Sequence, residues 1–172
     1  MQIQVLSVGK VKEPFFKQAC AEYEKRLSRY TKLTCIEVAD ESIPEKASPA
    51  ECQRLIQKEG ERLRTHCKSG LTVALCIQGE AMDSLSFAAL LRRAEQSGTG
   101  CVQFLIGGSL GLDASVVQQA DVKLSFSPMT LPQDVYKRQV ALCQANDTLF
   151  GPDAKQTFPA FADDLNIHFV NR

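Results

Sequence analysis

Neither sign of charge prevails in this 172-residue chain, where Lys and Arg number 20 and Asp and Glu number 20. A domain held to nucleic acid by bulk positive charge is excluded, so any polyanion must meet a local patch. No uncharged apolar run reaches the ~18 residues of a membrane span, and Met1-Gln2-Ile3-Gln4-Val5 lacks the basic-then-apolar order of a signal peptide. A cytoplasmic protein with no membrane partner is the expectation. The seven cysteines, at 20, 35, 52, 67, 76, 101 and 143, are an odd set with no C-x-x-C pair and no clustered Cys/His spacing. Neither a disulfide framework nor a metal site is expected. Cys20, Cys35, Cys76 and Cys101 fall in apolar stretches, where a free cysteine behaves as a small buried hydrophobe. With 44% hydrophobic and 23% charged residues, the composition excludes disorder, collagen and coiled coil. What is left is one ordinary domain.

Apolar periodicity switches repeatedly between strand and helix. Ile3 to Val8 reads as a strand that stops at Gly9, and Glu13-Pro14 opens a helix with Phe15, Phe16, Cys20, Tyr23 and Leu27 at helical spacing, ending near Tyr30. Leu33 to Val38 alternates as a second strand, and Ala39 to Ala47 is a polar loop. Ser48-Pro49 with Glu51 offers a capping box for a helix to about His66, whose polar face reads Gln57 to Arg62. Gly60 inside that helix costs ~1 kcal/mol relative to alanine and marks close packing. Leu71 to Ile77, closed by Gln78-Gly79, is a buried strand; a helix from Ser84 to Gln96 carries Leu85, Ala88 and Leu91. Val102 to Ile106, a short helix capped by Asp113, and Val122 to Phe126 complete the alternation. The order predicts an α/β fold with a mostly parallel sheet and helices on both faces. Ligands of such sheets bind beyond the carboxyl ends of the strands.

Those strand ends hold the distinctive sequence. Gly9-Lys10, Lys58-Glu59-Gly60-Glu61, Ile106-Gly107-Gly108-Ser109-Leu110-Gly111-Leu112 and Ser125-Phe126-Ser127-Pro128-Met129-Thr130-Leu131-Pro132 occur in that order. Over residues 1 to 133 the chain resembles the SPOUT-class methyltransferases that methylate N3 of a pseudouridine in large-subunit ribosomal RNA. The resemblance implies a trefoil-knotted α/β fold, S-adenosylmethionine as methyl donor, and a homodimer acting on ribosomes. Carried over position by position, it implies a donor pocket formed by Leu75, Gly107, Phe126, Ser127, Pro128, Met129, Thr130 and Leu131. The residues agree in kind: the glycines let backbone approach a flat ligand, and Phe126, Met129 and Leu131 supply apolar walls. No residue of the matched segment is an evident base for the imide proton, which leaves to water or to a transient protein group.

For RNA contact, residues 1 to 32 carry seven basic residues, Lys10, Lys12, Lys17, Lys25, Arg26, Arg29 and Lys32, against Glu13, Glu22 and Glu24. Lys10, Lys12, Lys17 and Arg26 are the candidate phosphate contacts; a solvated helix face with pairs such as Glu22–Arg26 is the competing reading. Two other functions fit the alternation. One is a non-catalytic RNA- or ribosome-binding module, the other a nucleotide-binding domain of flavodoxin or Rossmann kind, which here lacks G-x-G-x-x-G after the first strand.

After Pro132 the chain leaves the family's pattern. The family continues with a histidine, an arginine and an amphipathic helix of the Glu-Gln-x-Tyr-Arg-Ala type ending in Tyr-His. Here Gln133 is followed by Asp134-Val135-Tyr136-Lys137-Arg138-Gln139, which matches the translation of a transposase sequencing-adapter end. The expectation is therefore a methyltransferase domain over 1–133, adapter sequence over 134–139 and an unrelated tail over 140–172, His168 included. Since the family's last helix threads the knot and closes the donor pocket, the knot is expected to be incomplete and the chain as written to be impaired.

Overall fold

Residues 3 to 8 are all buried in β1 (Gln2–Val8), including the polar Gln4 and Ser7. A strand covered on both faces belongs in the middle of a sheet. The computed structural model describes residues 1–126, and it places β1 between β2 (Lys32–Val38) and β4 (Cys101–Ile106). Beyond β4 lie β3 (Leu71–Ala81) and then β5 (Val122–Ser125), giving the order β2-β1-β4-β3-β5 with every neighbouring pair parallel. The helices between them are α1 (Pro14–Leu27), α2 (Pro49–His66), α3 (Ser84–Gln96) and α4 (Ala114–Gln119). The expected α/β architecture is present. Ser127, Pro128, Met129, Thr130, Leu131, the adapter-like segment, the tail and Cys143 lie outside the described residues.

Alternation along the strands divides the core in two. Ile3, Val5, Val102, Phe104, Ile106, Val73 and Leu75 face α3, where Phe87 and Leu91 are fully buried and the Phe87 and Phe104 rings meet at 5.9 Å. Leu6, Val8, Leu105 and Val38 face the other way and pack with Leu63 of α2 and Val116 of α4. Helices therefore cover both faces, as right-handed parallel crossovers require. Each helix starts where its sequence says. Ser48 and Glu51 form the reciprocal capping box of α2, and the Asp83 carboxylate accepts the Ser86 amide at 2.7 Å to cap α3. The mid-helix glycine packs as expected, since a Cβ on Gly60 would stand 2.7 Å from Asp113 Cβ and 3.2 Å from Val116.

Several local expectations are corrected. Phe15 is 62% exposed, because the buried stripe of α1 runs through Tyr23 and Leu27 and Phe15 lies about 100° from its neighbour Phe16. Leu85 is likewise exposed, with Phe87, Ala88, Leu91 and Ala94 forming the buried face of α3. Cys35 is exposed on the edge strand β2, and Cys20 and Cys76 are only half-buried; of the four, Cys101 alone is in the core. Strand β3 does not stop at Ile77. Leu124 pairs with both Leu75 and Glu80, so residues 76 to 79 bulge and the chain then rejoins β5. Gly79 permits this, for a Cβ there would stand 2.5 Å from the Leu124 carbonyl carbon.

Candidate active site at the carboxyl edge of the sheet

Strand register brings the expected residues to one edge. Leu75 is the partner of Ile106 on one side and of Leu124 on the other, so Gly107 leaves β4 beside the end of β3's regular pairing, and Phe126 leaves β5 two residues past the same level. Ser7 is also the partner of Ile106, which sets Gly9 and Lys10 next to the same exit. Leu75 is buried in the core, and Phe126 packs edge-on against Phe87 with ring centroids 6.4 Å apart. The apolar wall is thus anchored from behind.

From Gly107 the chain folds back on itself. The Gly111 amide donates to Gly108 O at 3.0 Å, and Gly111 holds φ at +89°, a conformation that L side chains rarely adopt. A Cβ on Gly107 would lie 2.3 Å from Gly111 C, 2.4 Å from Gly111 O and 2.5 Å from Leu112 N. This glycine is demanded by the turn's own closure. The space expected to admit a flat ligand at that atom is filled by the turn itself, so any ligand meets the turn's outer backbone.

Beneath the turn lies a residue that periodicity assigned to a solvated face. Glu59 is 6% exposed; its Oε1 accepts the Glu41 amide at 2.8 Å, and its Oε2 would be 2.7 Å from a Cβ on Gly108. The signal was Gly60, whose close packing turns that side of α2 inward. Burial pushes the Glu59 carboxyl above its ordinary pKa, with the nearby Asp40 and Glu41 charges in the same direction, against the opposing Glu41 hydrogen bond and Arg62. Arg62 pairs with Glu41 and donates to Ala39 O at 2.9 Å, so the segment after β2 is tied to α2.

A raised folded-state pKa gives stability that is full below the unfolded carboxyl value of about 4.3 and is lost as pH rises through the folded value. Glu59→Gln keeps an oxygen for the Glu41 amide and removes the charge. Thermal melts from pH 4.5 to 8 should therefore show the variant more stable than the unmodified chain at pH 8, with the gap closing toward acid, each kcal/mol moving Tm by roughly 2–4 °C. A variant less stable at pH 8 would contradict the assignment of a charged, poorly compensated carboxylate.

The candidate RNA contacts divide. Lys10, Lys12 and Lys17 are exposed at the carboxyl edge. Arg26 is paired with Glu22 at 2.9 Å and sits eleven residues beyond Phe15, roughly 16 Å along α1. It belongs to the opposite end of the sheet. Among the described residues there is no helix long and apolar enough to cross a membrane and no cluster of His, Cys, Asp or Glu that could hold a metal.

The structure is a parallel sheet of order β2-β1-β4-β3-β5 with a glycine turn at the end of β4. The sequence model described as predicted SPOUT methyltransferase matches residues 1–141, and the chain belongs to that family. More particularly, it is 42% identical over 138 residues to the ribosomal RNA large subunit methyltransferase H of Streptococcus gordonii, covering 80% of this chain and 87% of that protein. The proteins of the same name from Bifidobacterium adolescentis and Carboxydothermus hydrogenoformans are 44% and 43% identical over the same shares. Among solved structures, the tRNA (m1G37) methyltransferase of Aquifex aeolicus resembles it in fold, with a TM-score of 0.51 at 12% identity over 90% of this chain and 72% of that one. Enzymes of this family take their methyl group from S-adenosylmethionine.

Proposed function

We infer that this chain represents an S-adenosylmethionine-dependent methyltransferase of large-subunit ribosomal RNA, and that its target atom is N3 of a pseudouridine. The coarser statement, ribosomal RNA methylation, follows from relatives of one name that match the chain over 87% of their length. The observation that carries the reading is the common register of Leu75, Ile106 and Leu124, which lines up the end of β3's regular pairing with the exits of β4 and β5. Ligands of open parallel sheets bind at such an edge.

The described half of the site fits the donor. Phe126, backed by the buried Leu75, would give an adenine its apolar contact, and the outer backbone of the Gly107–Leu112 turn would meet its polar edge; Ser127, Pro128, Met129, Thr130 and Leu131 are the further donor contacts of this reading. When bound, S-adenosylmethionine supplies an already electrophilic methyl group, so the residues mainly need to align it with the attacking nitrogen and exclude water. The family's homodimer and a cytoplasmic location belong to the same reading, as does the division into a methyltransferase domain over 1–133 and foreign sequence beyond. The family match itself runs to residue 141, and about an eighth of each relative's length remains unmatched.

The test is methyl transfer from labelled S-adenosylmethionine to ribosomes of a strain that lacks the modification. A chain carrying the family's ending should place label on N3 of a pseudouridine in large-subunit RNA, read by mass spectrometry of the digested nucleosides. Label on another base, or on small-subunit RNA, would overturn the reading.

A further inference from the structure

We propose that the β1–α1 loop and the first turn of α1 form a landing surface for a single strand of RNA, on which Phe15 stacks an unpaired base while Lys10, Lys12 and Lys17 hold the flanking phosphates. The proposal rests on the methyltransferase reading and deepens it by saying where the substrate strand lies. Phe15 is the second most exposed large hydrophobic residue of the described chain, at 62%. Its ring leans on Phe16 at 5.2 Å with a 55° tilt, which limits its freedom while leaving it open to solvent. An exposed, restrained aromatic has a use in stacking, because every nucleobase offers a π-face.

The three lysines have charge to spare. All are exposed, and none joins an ion pair among the described residues. Glu13 is the one acid between positions 10 and 17. The loop that carries them is pinned from within: Gly9 N–H donates to Val38 O at 2.8 Å, and the buried Val11 donates its amide to Glu37 Oε1 at 3.2 Å. With Val11 turned in, Lys10 and Lys12 stand on the outer side, so binding them costs little loop ordering. Position completes the case. Val8, the last residue of β1, has a methyl 3.2 Å from where a Gly108 Cβ would stand, so the loop leaves the sheet beside the glycine turn of the proposed donor site.

A single projecting ring reads an unpaired base; a duplex offers it only phosphates and groove edges. Anisotropy of a labelled single-stranded RNA oligonucleotide, and of the same oligonucleotide annealed to its complement, tests this with the full chain and without donor. Phe15→Ala and Phe15→Leu should each weaken single-strand binding about tenfold. Lys10→Gln/Lys12→Gln/Lys17→Gln should flatten the slope of log K against log salt by about 2, and Arg26→Gln should leave it unchanged. Ultraviolet crosslinking should attach a nucleotide to the tryptic peptide Glu13–Lys17. Leucine at 15 preserves apolar bulk, so if Phe15→Ala loses its fold, Phe15→Leu still decides. Equal affinity of Phe15→Leu and the unmodified chain, equal affinity for duplex and single strand, or an unchanged salt slope in the triple variant would overturn the proposal. Since the readout is binding without donor, such a failure is separate from a failure of methyl transfer.

Discussion

In the chain carrying the family's ending, alanine at position 107 should abolish S-adenosylmethionine binding and methyl transfer and should lower the stability of the whole domain. The added carbon would stand 2.3–2.5 Å from three backbone atoms of Gly111 and Leu112. No side chain can swing aside, so the turn has to open. Overpacking of this kind costs roughly 1–3 kcal/mol, or a fall in Tm of about 2–4 °C for each kcal/mol in a chain of this size. Gly100→Ala is the control, since a Cβ there meets nothing within 4 Å. The same substitution separates an enzyme from a simple RNA-binding module. Methylation should vanish while RNA binding through Lys10, Lys12 and Phe15 survives, because Val11 and Glu37 hold that loop independently of the turn. Unimpaired donor binding by Gly107→Ala in calorimetry would remove the turn from the site.

The second large effect concerns the chain's ending. Replacing residues 134–172 by the family's arginine-bearing amphipathic helix and Tyr-His terminus should raise donor affinity from weaker than about 1 mM to about 1 μM, a difference of about 4 kcal/mol. The physical reason is cover. Phe126 and the half-exposed Ile77 leave an apolar edge that needs a closing element before a thioether and an adenine can be held dry. Calorimetry on both chains checks the point, and micromolar binding by the chain as written would contradict it.

The element order and the helix starts were legible because they depend on neighbours in sequence: the Ser48/Glu51 box, Pro49 at the first turn and Asp113 as a cap act within three residues. The ends of β1 and β4 were legible as well, through Gly9 and Gly107, whereas β3 runs on through Gly79 to Ala81. The strand order β2-β1-β4-β3-β5 was not, since pairing between β1 and β4 joins residues about a hundred positions apart. Phe15 and Glu59 misled periodicity in opposite ways. Phe15 sits one residue off the buried stripe of α1, so an aromatic pair looked uniformly inward. Glu59 is a charge on an otherwise polar stretch, and only the contact of Gly60 with Asp113 explains why that side turns inward. The role of Gly107 was legible in place and not in cause, because a turn that folds onto its own backbone leaves no trace in periodicity.

Amide hydrogen exchange with and without saturating S-adenosylmethionine tests the account most directly, using the chain with the family's ending. Slowed exchange should appear at residues 107–112, past the exit of β4, and at 75–79, the bulge of β3, with the amino-terminal edge around residues 98–101 unchanged. Protection confined to that opposite edge, or none at the glycine turn when donor is bound, would contradict a methyl-donor site at the carboxyl ends of these strands.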